Sequence, residues 1–220
     1  MKTIVIAPHP DDEVLGVGGT LLRRKAEGAK VAWLIVTSIS VESGWSMEQV
    51  SRRADEIGQS AALFGFDDVF ELKIPTAQLD QVPMRELVAG IANVFSLYEP
   101  EEVFLPHPSD VHTDHRIVFD AAASCTKWFR HPSVKRVLAY ETLSETDFGL
   151  GTDQGFRPNV FIDIEPFLSQ KFRAMDIYAS EMGACPFPRS QEVIRALATL
   201  RGATSGFKAA EAFELLREKS

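Results

Sequence analysis

The chain has 220 residues, 45% hydrophobic and 25% charged, enough for one domain with a substantial core. Its net charge of −8, from 31 acidic against 23 basic residues, argues against a broad nucleic-acid or anionic-membrane surface. No apolar run approaches the roughly 20 residues a membrane span requires, and the short N-terminal apolar stretch reads as a strand rather than a signal peptide.

In chain order, residues 3–7 (TIVIA) predict a short strand buried on both faces, followed at once by "PHPDDE" and a helix over 14–27 that ends near Gly28. Residues 30–37 (KVAWLIVT) predict a second strand. The loop "SISVESGW" leads to a helix over 47–63 that stops around Gly65. Further strands are expected over 69–72, 102–105, 137–141 and 159–164, with helices over 84–98, 114–128, 166–179, 190–200 and 207–218. Apolar strands alternating with helices predict an α/β fold with a mostly parallel sheet, and no linker or repeat divides residues 1–220, so one domain is expected. "GVGG" at 16–19 is no dinucleotide fingerprint, because Leu21 stands where the last glycine is needed. Cys125 and Cys185 form no CxxC pair, which predicts a reducing, cytoplasmic home without a disulfide framework.

In open sheets ligands bind beyond the carboxyl ends of the strands. "PHPDDE", "SISVESGW" and "PHPSDVHTDH" each follow a predicted strand, so all three loops are expected at one edge. Four of the five histidines and several carboxylates sit in two of them. His9 and Asp12 are three residues apart at a strand-to-helix turn; His112 and His115 repeat that spacing around Asp114. The plain alternative is a set of helix caps, since Asp at an N-cap is common and Thr113 or Asp114 would serve the later helix. Two such clusters at one edge predict instead a divalent metal site of imidazole and carboxylate ligands, with Zn2+ first and Fe2+ or another first-row ion also suited. With three residues as ligands, the surplus supplies a base for water and a partner for a developing oxyanion. One division makes His9, Asp12 and His115 the ligands, leaves Asp11 and His112 free for those two roles, and lets Asp114 orient a histidine through its ring N–H. Trp45 is a candidate for stacking on a substrate ring, with a surface anchor as the alternative. Arg189 and Arg201 are read as helix ion-pairing residues.

"PHPDDE" with the later "HTDH" resembles the PIG-L/LmbE-like zinc-dependent N-deacetylases. "RRADEIGQSAALFGF" at 52–66 is similar to a helix of that family, and "FRPNVFIDI", "KFRAMDIYASE" and "AEAF" resemble C-terminal stretches of bacterial members. Glu181 departs from the Gln that relatives often carry there. The resemblance implies a Rossmann-like three-layer sandwich with the site at the carboxyl edge of the strands. It implies metal ligation by His9, Asp12 and His115, Asp11 as general base, His112 facing the oxyanion, and Arg53 in the substrate pocket. It further implies removal of acetyl from a small-molecule N-acetyl amino sugar or glycoconjugate, by a homo-oligomer. Two rivals remain at this point: an amidase or deacylase acting on a non-sugar N-acyl substrate, and a non-catalytic metal-binding module.

Overall fold

A computed structural model describes residues 1–150 and 155–220. The apolar run at the N-terminus forms β1 (Lys2–Ala7), and its alternation splits the core. Val5 and Ala7 face one apolar cluster with Trp33 and Ile35, whereas Ile4 and Ile6 face a second with Leu34. Both faces of the sheet are therefore covered. Helices α1 (Asp12–Ala26), α2 (Met47–Phe64), α5 (Leu168–Ile177) and α6 (Gln191–Ser205) contribute to the first cluster. Helices α3 (Met84–Tyr98) and α4 (Thr113–Cys125) contribute to the second. The result is the expected three-layer α/β architecture.

The sheet comprises β1, β2 (Lys30–Ser38), β3 (Asp68–Pro75), β4 (Glu102–Pro106), β5 (Arg136–Tyr140), β6 (Val160–Asp163) and β7 (Ala210–Glu218), in the order β3-β2-β1-β4-β5-β7-β6. The first five pair in parallel; β7 runs antiparallel to both β5 and β6. The chain steps outward from β1 through β2 to β3, then returns to lay β4 on the other side of β1. That reversal opens a crevice beyond the carboxyl ends of β1 and β4, the location at which such sheets bind ligands.

The "GVGG" stretch lies within α1, and its glycines set how closely the helix approaches the sheet. A Cβ at Gly16 would stand 2.3 Å from the Tyr140 ring, and one at Gly19 would stand 2.6 Å from Ile164. Helix α2 begins with a capping box between Ser46 and Gln49 and ends at Gly65 in the left-handed conformation (φ 63°). Helix α4 is shorter than expected, because Ser124 and Thr126 hydroxyls take the carbonyls of Ala121 and Ala123 at its last turn.

One element is corrected outright. Residues 207–218 are not a helix; most of them form β7, between β5 and β6. Ala, Glu and Leu favour a helix in isolation. Here pairing on both sides and burial of Ala210, Ala212 and Phe213 outweigh that preference.

Candidate active site

The loops after β1 and β4 meet in the crevice. Ligand atoms of His9, Asp12 and His115 lie within 4.8 Å of one another. Asp12 Oδ2 sits between the two rings, 3.4 Å from His9 Nδ1 and 3.3 Å from His115 Nε2. The outward-facing nitrogens are held from behind. His9 Nε2 is 3.1 Å from Asp114 Oδ2, which also accepts the Ala77 N–H; His115 Nδ1 is 2.8 Å from Asp110 Oδ2, whose other oxygen accepts from Thr146 Oγ1. Each imidazole is thus backed by a carboxylate, the usual support for a metal-binding histidine.

The trio suits a cation on two counts. Two imidazoles and a carboxylate with no thiolate form the donor set of an open divalent site. Asp12 Oδ1 is buried without a hydrogen-bond partner among the described residues, a costly arrangement for a carboxylate that a cation would relieve. His9, His112 and Asp114 form a second geometric group, and Asp114 Oδ1 is likewise buried without a partner among the described residues; but this group shares His9, and Asp114 Oδ2 is already engaged by His9 and Ala77.

Burial lowers the His9 pKa, yet hydrogen bonds with Asp114 and Asp12 carry it up to about 9; burial also lowers that of His115, and Asp12 and Asp110 carry it up to about 10. Both values stand above neutrality, so protons and a cation compete for these nitrogens. Cation uptake is expected to release protons and to weaken on acidification, by up to about 100-fold per pH unit if both rings exchange a proton. Calorimetric titration with Zn2+ in buffers of different ionisation enthalpy counts those protons; uptake without release would remove the two rings as ligands.

Asp11 stands beside the trio. It is the residue before α1, at φ 130°, a left-handed conformation uncommon for a non-glycine residue. Its side chain makes no capping bond to the helix. Instead Arg189 Nη1 donates to Oδ2 at 2.8 Å, and Oδ1 has no hydrogen-bond partner among the described residues. The backbone is pinned by Glu13, whose Oε2 accepts the Asp11 N–H and whose Oε1 accepts from Ser60 Oγ and Tyr178 OH. Burial raises the Asp11 pKa and the charge of Asp12 adds to it, with Arg189 opposing; the value is about 7.

His112, rather than Thr113 or Asp114, caps α4: its Nδ1 accepts the Asp114 N–H at 3.1 Å. The neutral ring then carries its proton on Nε2. Burial, with the charges of His9 and His115, lowers its pKa to about 4. That direction favours a neutral ring with Nε2–H as its donor. Asp114 is 1% exposed and lies behind His9, so it orients that ring rather than meeting a substrate.

These groups open onto a cavity of about 640 Å³ lined by His9, Asp11, His112, Trp45, Arg53 and Arg189, among others. Trp45 is half-exposed at its wall. The Arg53 guanidinium is committed to Pro10 O at 2.9 Å, Glu181 at 2.5 Å and Glu56 at 3.0 Å, so it shapes the wall through the chain's own acceptors. Residue spacing alone does not single out Asp110 and Glu13, although each lies inside a motif-bearing loop; a carboxylate five residues before His115 was the available signal. His107 points elsewhere, with Nδ1 against Ser109 Oγ at 2.7 Å.

Residues 4–126 match the family described as PIG-L: GlcNAc-PI de-N-acetylase, more than half of the chain. The chain is 27% identical over 220 residues to diacetylchitobiose deacetylase of Thermococcus kodakarensis, a match covering 96% of this chain and 81% of that protein. It is 24% identical to 2'-N-acetylparomamine deacetylase of Streptomyces fradiae, covering 82% and 73%. The solved structure of N,N'-diacetylchitobiose deacetylase from Pyrococcus horikoshii superposes with a TM-score of 0.79 at 22% identity, over 98% of this chain and 84% of that one, which shows a shared fold.

Proposed function

The chain belongs to the PIG-L family, and on that premise we propose that it is a zinc-dependent N-deacetylase, a single domain over residues 1–220, that converts an N-acetyl amino sugar or its conjugate to the free amine and acetate. The observation that carries this reading is Asp11: a buried carboxylate on the cavity wall beside the His9–Asp12–His115 trio, one oxygen bound by Arg189 and the other unpartnered among the described residues. A metal-binding module has no use for such a group. The sugar assignment draws support from the names of the diacetylchitobiose and acetylparomamine deacetylases. The cavity volume also falls within the ordinary range for small-molecule sites.

A divalent ion held by His9, Asp12 and His115 would polarise the acetamide carbonyl and acidify a water. Asp11 Oδ1 accepts the proton of the attacking water as its oxygen bonds to the acyl carbon. His112 Nε2–H donates to the carbonyl oxygen as that atom gains negative charge. The C–N bond then breaks, and the nitrogen takes the proton from Asp11.

Elemental analysis coupled to acetate release tests the reading on N-acetylglucosamine, N,N'-diacetylchitobiose and a set of non-sugar N-acyl amines. The expected result is stoichiometric zinc, acetate from the sugars alone, loss of turnover on chelation and recovery with Zn2+. Acetate from the acyl amines alone would reassign the substrate, and a metal-loaded protein inert on every amide would reject the enzyme. Exposed Trp128 and Phe129, in edge-to-face contact after α4, are an apolar pair that the inferred cytoplasmic homo-oligomer would cover; light scattering on the same preparation checks the assembly.

A further inference from the structure

We infer that Arg189 is the positioning residue for the proposed base: its guanidinium holds Asp11 by Oδ2 and so presents Oδ1 to the cavity. The inference rests on the reading of Asp11 as base. A carboxylate at a helix N-cap ordinarily turns back to the N–H groups of the first turn. Asp11 does not, and its left-handed backbone directs the side chain away from α1. Arg189 is the side-chain partner it finds instead, reaching it from a distant part of the sequence.

The arginine is itself fixed at both ends. Its neighbour Ser190 is buried, donates its N–H to Phe187 O and caps α6 by accepting the Val193 N–H, so the backbone at Arg189 cannot drift. The planar fork is then occupied on each edge. Nε donates to Ser144 Oγ at 2.9 Å, Nη1 to Asp11 Oδ2 at 2.8 Å, and Nη2 reaches Glu145 Oε1 at 3.4 Å, with Glu181 Oε2 at 3.7 Å from Nη1. Contacts from separate segments thus orient one guanidinium, whose geometry suits fixed carboxylate contacts. Three carboxylates surround its single charge, so it is no free anchor for an anionic substrate. The plain alternative, an ion pair that only secures the start of α6, leaves unexplained why the arm extends into the cavity to the carboxylate next to the metal trio.

The test is a cycle of Arg189→Met and Arg189→Lys, each made in the wild-type chain and in Asp11→Asn, assayed on N,N'-diacetylchitobiose. Arg189→Met is expected to lower kcat about 100-fold with KM unchanged, the scale set by a catalytic group displaced by about 1 Å. Arg189→Lys or added guanidinium ion should restore part of that loss. In the Asp11→Asn background Arg189→Met should cost nothing further, because no base remains to position. A raised KM with kcat intact would make Arg189 a substrate contact and overturn the inference. Equal losses in both backgrounds would make its effect independent of Asp11 and also overturn it, leaving the deacetylase reading untouched. Full turnover in Asp11→Asn alone would remove the base assignment and with it this inference. Thermal midpoint and bound zinc are measured for each variant; if Arg189→Met does not fold, Arg189→Lys carries the same comparison.

Discussion

Asp11→Asn is expected to lower kcat by roughly 10²–10⁴-fold, the usual contribution of a positioned general base, while the protein keeps its fold and its capacity to bind Zn2+. Asparagine matches the size of aspartate, tolerates the left-handed backbone at this position, and retains an oxygen to accept from Arg189. What it lacks is a lone pair basic enough to take a proton from water. The effect should fall on kcat, because the metal trio is intact and substrate still enters. The surroundings of Asp11 suit both proton transfers. Burial and the charge of Asp12 raise its pKa from the ordinary carboxylate range, the direction a base working near neutrality needs. Acetate-release kinetics alongside zinc analysis of the same sample measure the two quantities. Removing His115 instead should lose zinc and turnover together. Undiminished kcat in Asp11→Asn would sink the base assignment.

The two halves of the site were legible in the sequence for a physical reason. His9 with Asp12, and His112 with His115, are local pairs three residues apart where the chain turns into a helix, and the apolar runs before them indicated strands ending at one sheet edge. The strand order that brings the pairs together follows from the return of β4 to the side of β1. The support was not legible. Arg189 reaches Asp11, and Tyr178 and Ser60 reach Glu13, across long stretches of chain, and no spacing rule encodes such meetings. Arg189 reads locally as a surface residue at a helix start. His112 shows the same limit from another direction: its type suggested a partner for an oxyanion, but only its Nδ1 contact with the first turn of α4 leaves Nε2 as the donor. Residues 210–218 show tertiary context overriding propensity, since a segment of good helix formers fills a gap in the sheet that needs a strand.

That strand also brings the second large effect, on stability. Lys171→Met is expected to cost about 3–5 kcal/mol, the scale for stripping one partner from a buried ion pair. Glu211 on β7 lies against the middle of α1, where Oε1 and Oε2 accept the N–H groups of Gly19 and Thr20 at 2.8 and 2.7 Å. Lys171 on α5 donates to Glu211 Oε1 at 2.6 Å and to the Leu15 carbonyl at 2.8 Å. In a regular helix that carbonyl is the acceptor for Gly19 N–H. Both side chains are 5% exposed. Methionine fills most of the volume but leaves an unpaired buried carboxylate and removes the donor to Leu15 O. For a chain of this size each kcal/mol corresponds to roughly 2–4 °C, so the thermal midpoint should fall by about 10 °C. Adding Glu211→Gln removes the stranded charge but leaves one acceptor oxygen for the two helix N–H groups, its NH2 facing the other, so the double variant should regain only part of the loss. Scanning calorimetry of both variants decides: a Lys171→Met midpoint within about 2 °C of wild type would mean that water relaxes around Glu211 and that the pair does not lock α1 to β7 and α5.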